Sequence, residues 1–181
     1  MIVIYCAIVL GILFIFWTLL LYHRFSKERD KTEKNFLIMD DFMKKRHKDI
    51  GDIVGISGEY IGKENMLLKN LLGAYNKVYY ARNFSEKVEG ENLIDIALND
   101  YFEKISSQIE LTENSTWKDI KSNIFETEIK IAEAIIEYNH SVRDYNTMIE
   151  LFPNHIIAKM FMFDKKPIFA NKKDFQKIIG H

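Results

Sequence analysis

The stretch that decides the fold is residues 117–153, WKDIKSNIFETEIKIAEAIIEYNHSVRDYNTMIELFP. Apolar or aromatic residues recur at Ile131, Ile135, Tyr138, Val142, Tyr145 and Ile149, with gaps alternating four and three. That spacing is the seam of a helix packed against other helices. Tyr138-Asn139 and Tyr145-Asn146 lie one heptad apart on it, and Leu151-Phe152-Pro153 ends it. The tyrosines read as core residues. Asn139 and Asn146, beside the seam, read as half-buried groups that fix register by hydrogen bonding. Glu128 occupies a seam position between Ile124 and Ile131, so it needs a basic partner or a route to solvent.

Working outward, the preceding segments repeat the pattern. Ile94, Ala97, Leu98, Tyr101, Ile105 and Ile109 mark the buried side of a shorter helix over residues 91–110, after a turn expected at 83–90. Asn114, Ser115 and Thr116 supply caps for the long helix. From Phe36 an apolar register runs through Met39, Met43, Ile50, Val54 and Ile61 to Leu68, Leu72, Tyr75 and Tyr79. It is too long for one ordinary helix, and a break is expected near Gly51. Lys44, Lys45, Arg46 and Lys48 make the face opposite this seam basic.

Gly51, Gly55, Gly58 and Gly62 are half of the chain's eight glycines and share one helix face. Each costs about 1 kcal/mol against alanine in a helix interior. Three readings stay open: close helix packing, local irregularity, or a face for a partner or a second copy. With Lys44, Lys45, Arg46 and Lys48, these glycines form the candidate interaction face.

Residues 1–22 carry no charged side chain. Twenty-two helical residues rise about 33 Å, the thickness of a bilayer core. There is no basic segment ahead of the run and no small-residue cleavage site after it, which argues against a cleaved signal. Arg24, Lys27, Arg29, Lys31 and Lys34 come next, so the positive-inside rule places the short N-terminus outside and the remainder in the cytoplasm. The division expected is a transmembrane helix over 1–22, a charged helical stalk over 23–35, and a helical bundle domain over 36–181. From about residue 154 the chain becomes a lid, because Phe161, Phe163, Phe169 and Phe175 are too many rings to leave in water. A membrane- or partner-binding tail is the second reading of that segment.

The fold class is therefore all-α: an antiparallel bundle of about four long helices after one transmembrane helix. A net charge of −1 gives no pull toward nucleic acid. The lone Cys6 allows no internal disulfide. The five histidines lack shared-ligand spacing, no Glu-x-x-His pair occurs, and no phosphate-binding glycine loop or nucleophile–base set can be assembled. No enzyme, cofactor or metal is expected. The partners expected are the lipid bilayer, through residues 1–22, and either an unidentified protein or a second copy of the chain.

The run Glu137-Tyr138-Asn139-His140-Ser141-Val142-Arg143-Asp144-Tyr145-Asn146-Thr147, with Phe152-Pro153-Asn154 and Ala158, resembles the C-terminal signature of the LemA family. Thr127-Glu128, Lys45-Arg46-His47, Tyr60, Glu64, Phe163 and Phe169 are similar to further family positions. The chain departs from the pattern at Gly51-Asp52, where the family has Pro-Asn, and at Ile136-Glu137, where it has Arg-Arg. The resemblance implies a bacterial single-pass membrane protein with an antiparallel helical bundle and an outward N-terminus. It implies no particular reaction. The signature residues Tyr138, Asn139, Tyr145, Asn146, Phe152 and Pro153 are expected to be structural. The functional expectation is a membrane-anchored interaction or scaffold protein. A self-assembling structural membrane protein is the alternative, and a ligand sensor or enzyme the lesser one.

Overall fold

A computed structural model describes residues 1–170, and the expectation for Phe175 lies outside them. Among the described residues the chain is all-helical. Its helices are α1 (Ile2–Ile61), α2 (Met66–Tyr79), α3 (Phe84–Ile105), α4 (Ile109–Glu113), α5 (Ser115–Glu150) and α6 (Asn154–Met160). Two compact units share α1 and α5. The first comprises Met1–Ile38 and Ala134–Ile168. The second comprises Met39–Glu133 with, among the described residues, Phe169 and Ala170.

The expected transmembrane, stalk and first bundle segments are one uninterrupted helix, α1. The break expected near Gly51 is absent. Ile50 and Ile53 are fully buried on the other side of the helix there. Burying such a side chain stabilises by roughly 1.5–3 kcal/mol, which outweighs the cost of one glycine. The chain turns at Gly62 instead, where φ is +80°, a conformation glycine adopts without strain. Asn65 then caps α2 by accepting a hydrogen bond from Leu67 N–H at 2.9 Å.

A second boundary also differs from expectation. Residues 83–90 are the first turns of α3, not a loop. Asn83 Oδ1 accepts from Glu86 N–H at 2.9 Å, and the Glu86 carboxylate accepts from Arg82 N–H at 2.8 Å. This reciprocal cap satisfies orphan amides and starts a helix in a run where only Phe84 and Val88 are large and apolar.

In the first unit α1 and α5 run antiparallel. Thr32 Oγ1 donates to Ser141 O at 3.3 Å, Asn35 to Glu137 O at 3.3 Å, and Phe36 lies 5.8 Å from Tyr138 between ring centroids. Residues 23–35 are helical, with Phe25 and Thr32 buried on one face and Arg24, Lys27, Asp30, Lys31, Glu33 and Lys34 exposed. Phe25, Leu21, Tyr145, Ile149, Ile157, Ala158 and Phe163 form one cluster. The tail is fixed by side chains of α5. Tyr138 OH donates to Pro167 O at 2.7 Å, and Asn146 bonds both Lys166 O (2.8 Å) and Lys166 N–H (2.9 Å). Asn146 thus holds the tail rather than setting register between helices.

In the second unit α1, α2, α3 and α5 alternate in direction around an aliphatic core. Ile50, Ile53, Leu68, Leu71, Ile94 and Ile124 are central to it. Phe169 is buried here, edge-on to Phe84 at 6.1 Å, and Asn92 donates to Ala170 O at 3.2 Å. Phe163 and Phe169 therefore pack onto helices, whereas Phe161 is 41% exposed.

Candidate functional site

The densest polar cluster lies inside the second unit and centres on Arg46. Its guanidinium is 1% exposed. Nη2 donates to Glu91 at 2.5 Å, and Nη1 to Asp95 and Glu128, each at 2.6 Å. Helical spacing explains the acceptors, since Glu91 and Asp95 are i,i+4 on α3 and Glu128 is on α5. His47 Nε2 lies 3.0 Å from Glu91 Oε1, and its ring meets Tyr75 of α2 edge-on. Three helices thus meet on one cation, and a fourth contacts its neighbour.

The electrostatics follow from this arrangement. Burial alone would lower the affinity of Arg46 for its proton, but Glu128, Asp95 and Glu91 outweigh it and fix the positive charge. Burial pushes the Glu91 carboxyl up, yet the His47 hydrogen bond and the Arg46 charge hold it below its ordinary value. For Asp95 burial wins, so its carboxyl is raised despite Arg46. Nearby, burial of Asp40 is outweighed by Lys44, at 2.7 Å, and by Lys87, so its carboxyl is lowered.

A second buried network joins Ser57, Tyr101 and Trp117. Trp117 Nε1–H donates to Tyr101 OH at 2.9 Å, and Ser57 Oγ lies 2.5 Å from the same oxygen. Beside it is an open groove of about 480 Å³, lined in part by Phe102, Trp117, Lys121 and Phe125. The Lys121 ammonium lies 5.1–5.9 Å from the Trp117, Phe102 and Phe125 ring centroids, so the groove's aromatic faces already hold a cation of the same chain. Among the described residues no group of histidine, cysteine and carboxylates is disposed to hold a metal ion.

The residues singled out in the sequence are distributed unevenly. Lys44, Lys45 and Lys48 are exposed, whereas Arg46, assigned to the same basic face, is buried. Its three carboxylate partners point inward from α3 and α5, and the guanidinium meets them there. Glu128 has the basic partner its seam position demanded. Gly51 and Gly55 are exposed, and a Cβ at either would meet nothing within 4 Å. Gly58 is buried against Lys63, and Gly62 lies beyond the helix. Close packing through this stripe is therefore not what the glycines serve at 51 and 55.

The glycine that does permit close approach is Gly90, which lies outside the stripe expected from the sequence. A Cβ there would lie 2.7 Å from Val78 Cγ2 and 2.9 Å from Val78 N. Of the signature residues, Tyr138 and Tyr145 are buried, and burial pushes the Tyr138 hydroxyl up to about 12. Asn139 is half-buried, Pro153 is half-buried, and Phe152 is exposed.

Helices that share buried ion pairs and an aromatic tail, after an apolar helix long enough to cross a membrane, define a class: a helical bundle protein with an N-terminal membrane-competent helix. The LemA family model matches residues 36–178, most of the chain, and the protein belongs to the LemA family. No curated protein matches the sequence.

Proposed function

We propose that this LemA-family chain is a single-pass protein of the cell membrane. Its short N-terminus is outside and its helical domain is in the cytoplasm, where it works as an interaction module and not as an enzyme. The observation that carries this reading is the surface of α1 over residues 2–16. Every side chain there is uncharged and exposed, and Ile8, Leu10, Leu13 and Phe16 are each more than half exposed. Hydrocarbon accommodates such a surface and water does not. Arg24, Lys27, Arg29, Lys31 and Lys34 then favour the cytoplasmic side for the rest of the chain.

The partner face suggested is the exposed part of α1 at Gly51 and Gly55, flanked by Lys44, Lys45 and Lys48. Room for a closely approaching partner helix supports it, since none of the described residues occupies that space. Arg46, His47, Glu91, Asp95 and Glu128 of the second unit are engaged with one another, which favours a structural use for them.

Crosslinking mass spectrometry on the full chain in native membranes tests this. Crosslinks from Lys44, Lys45 and Lys48 to another protein, lost in Gly51→Leu/Gly55→Leu while the variant remains folded, are the expected outcome. Crosslinks confined to second copies of the chain would replace the reading with self-assembly. Partners unchanged by the double variant would remove this face from it.

A further inference from the structure

Taking the membrane anchoring above as given, we propose that the turn after α5, together with α6 and Phe161–Met162, is a second membrane contact. It would be an apolar foot inserted at the headgroup–acyl boundary beside the transmembrane helix.

Three observations within the first unit carry this. The first is depth. The inner face of α6, Ile157 and Ala158, clusters with Leu21 and Phe25 of α1. Phe161 lies 5.2 Å from Tyr22 between ring centroids. The charge-free run ends at Tyr22. At 1.5 Å per residue, Phe25 is only about 4.5 Å further along the helix. The foot is thus seated at the level where hydrocarbon gives way to headgroups, a layer in which amphipathic elements bury about 5–10 Å deep.

The second is the outward surface. Phe152 is 81% exposed, Met162 84%, Met160 58% and Ile156 53%, and Leu151 adjoins them. None of the described residues covers these. Arg24, Lys27 and Lys159 are exposed nearby, a charge pattern that suits anionic headgroups.

The third is backbone conformation. Phe163 N–H bonds Ala158 O at 2.9 Å and Met162 N–H bonds Lys159 O at 3.3 Å, closing α6 in a Schellman motif. The left-handed position of that motif is normally glycine, but here it is Met162, with φ +57°. A left-handed methionine is disfavoured, and packing against the protein does not compensate for it. Insertion of its flexible apolar side chain into lipid does.

Site-directed spin labelling of the full chain in nanodiscs of mixed neutral and anionic lipid tests the proposal. Labels are placed by Phe152→Cys, Ile156→Cys and Met162→Cys, each combined with Cys6→Ser. Leu13→Cys reports the membrane span and Arg143→Cys reports water. Collision with oxygen severalfold higher, relative to a nickel chelate, at 152, 156 and 162 than at 143 is expected. Water-like values at all three, with Leu13 lipid-like, would overturn the foot and leave the anchor intact. Low collision with both reagents would mean a protein cover and overturn it equally. A water-like Leu13 would reject the anchoring itself.

Discussion

In the unit of Met1–Ile38 and Ala134–Ile168, interior contacts are aromatic rings and hydrogen bonds from α5 side chains to the backbone of the tail. Tyr138, Asn146 and Phe163 carry them. In the unit built on Met39–Glu133, a mostly aliphatic core that also holds Tyr101 and Trp117 is accompanied by one buried arginine shared by three carboxylates. The first kind of interior is assembled from many contacts of similar weight, so no single loss undoes it. The second gathers its buried charges around one residue, and removing that residue strands carboxylates that burial makes costly. α1 and α5 contribute to both, so one helix sequence serves two kinds of packing along its length.

The difference predicts a hierarchy of losses. Arg46→Met should be the most damaging, destabilising by about 3–5 kcal/mol because Glu91 is left buried without its cation. Chemical unfolding of the full chain in detergent measures it. The loss should shrink when Glu91→Gln, Asp95→Asn and Glu128→Gln are added. A single variant no weaker than the native chain would show that the cluster is incidental.

The same cluster sets the acid limb. Glu91 is held below its ordinary 4.5. Its contribution is therefore complete above that pH and disappears as pH falls through the lower, folded value. Asp95 is raised above 3.8 and acts in the opposite sense, losing stability as pH rises through its folded value. Glu91→Gln should flatten the fall in stability below pH 4.5. Unfolding curves across that range that retain the native slope would assign it elsewhere.

Gly90→Ala comes next. The added methyl would meet the Val78 backbone, and overpacking of this kind costs about 1–3 kcal/mol. In the aromatic unit, Asn146→Ala should cost about 1–2 kcal/mol for two hydrogen bonds, with faster amide exchange at Lys166. Unchanged exchange at Lys166 would mean that the aromatic contacts alone hold the tail. The smallest effect has the opposite sign. Gly51→Ala should stabilise by about 0.5–1 kcal/mol, since a helical methyl there meets nothing. Destabilisation would indicate a neighbour that the fold does not place there.

Much of the architecture was legible because periodicity reports burial directly. The seam Ile131–Ile149 is buried at every position that defined it. α6 begins directly after Pro153, where the lid was expected to start. Helix ends were harder, because glycine and polar runs signal breaks only when burial does not override them. Ile50 and Ile53 carried α1 past Gly51, and Asn83 with Glu86 turned an apparent loop into a cap. Arg46 was read as surface because a lone basic residue in Lys44–Lys48 looks like its neighbours. Only Glu91, Asp95 and Glu128, distant in sequence, reveal its direction. Gly90 carried no signal at all, since its need comes from Val78 of another helix. Glu128 on the seam was the available clue, because a carboxylate there needed a basic partner or a route to solvent.

The membrane reading rests on topology, and one labelling experiment addresses it. Asp119→Cys in a Cys6→Ser background puts a single exposed thiol on α5. The full chain is treated with a membrane-impermeant maleimide in intact and in lysed cells. An anchored protein with its domain in the cytoplasm reacts only after lysis and stays in the membrane fraction under alkaline extraction. Reaction in intact cells, or release by alkali, would contradict it.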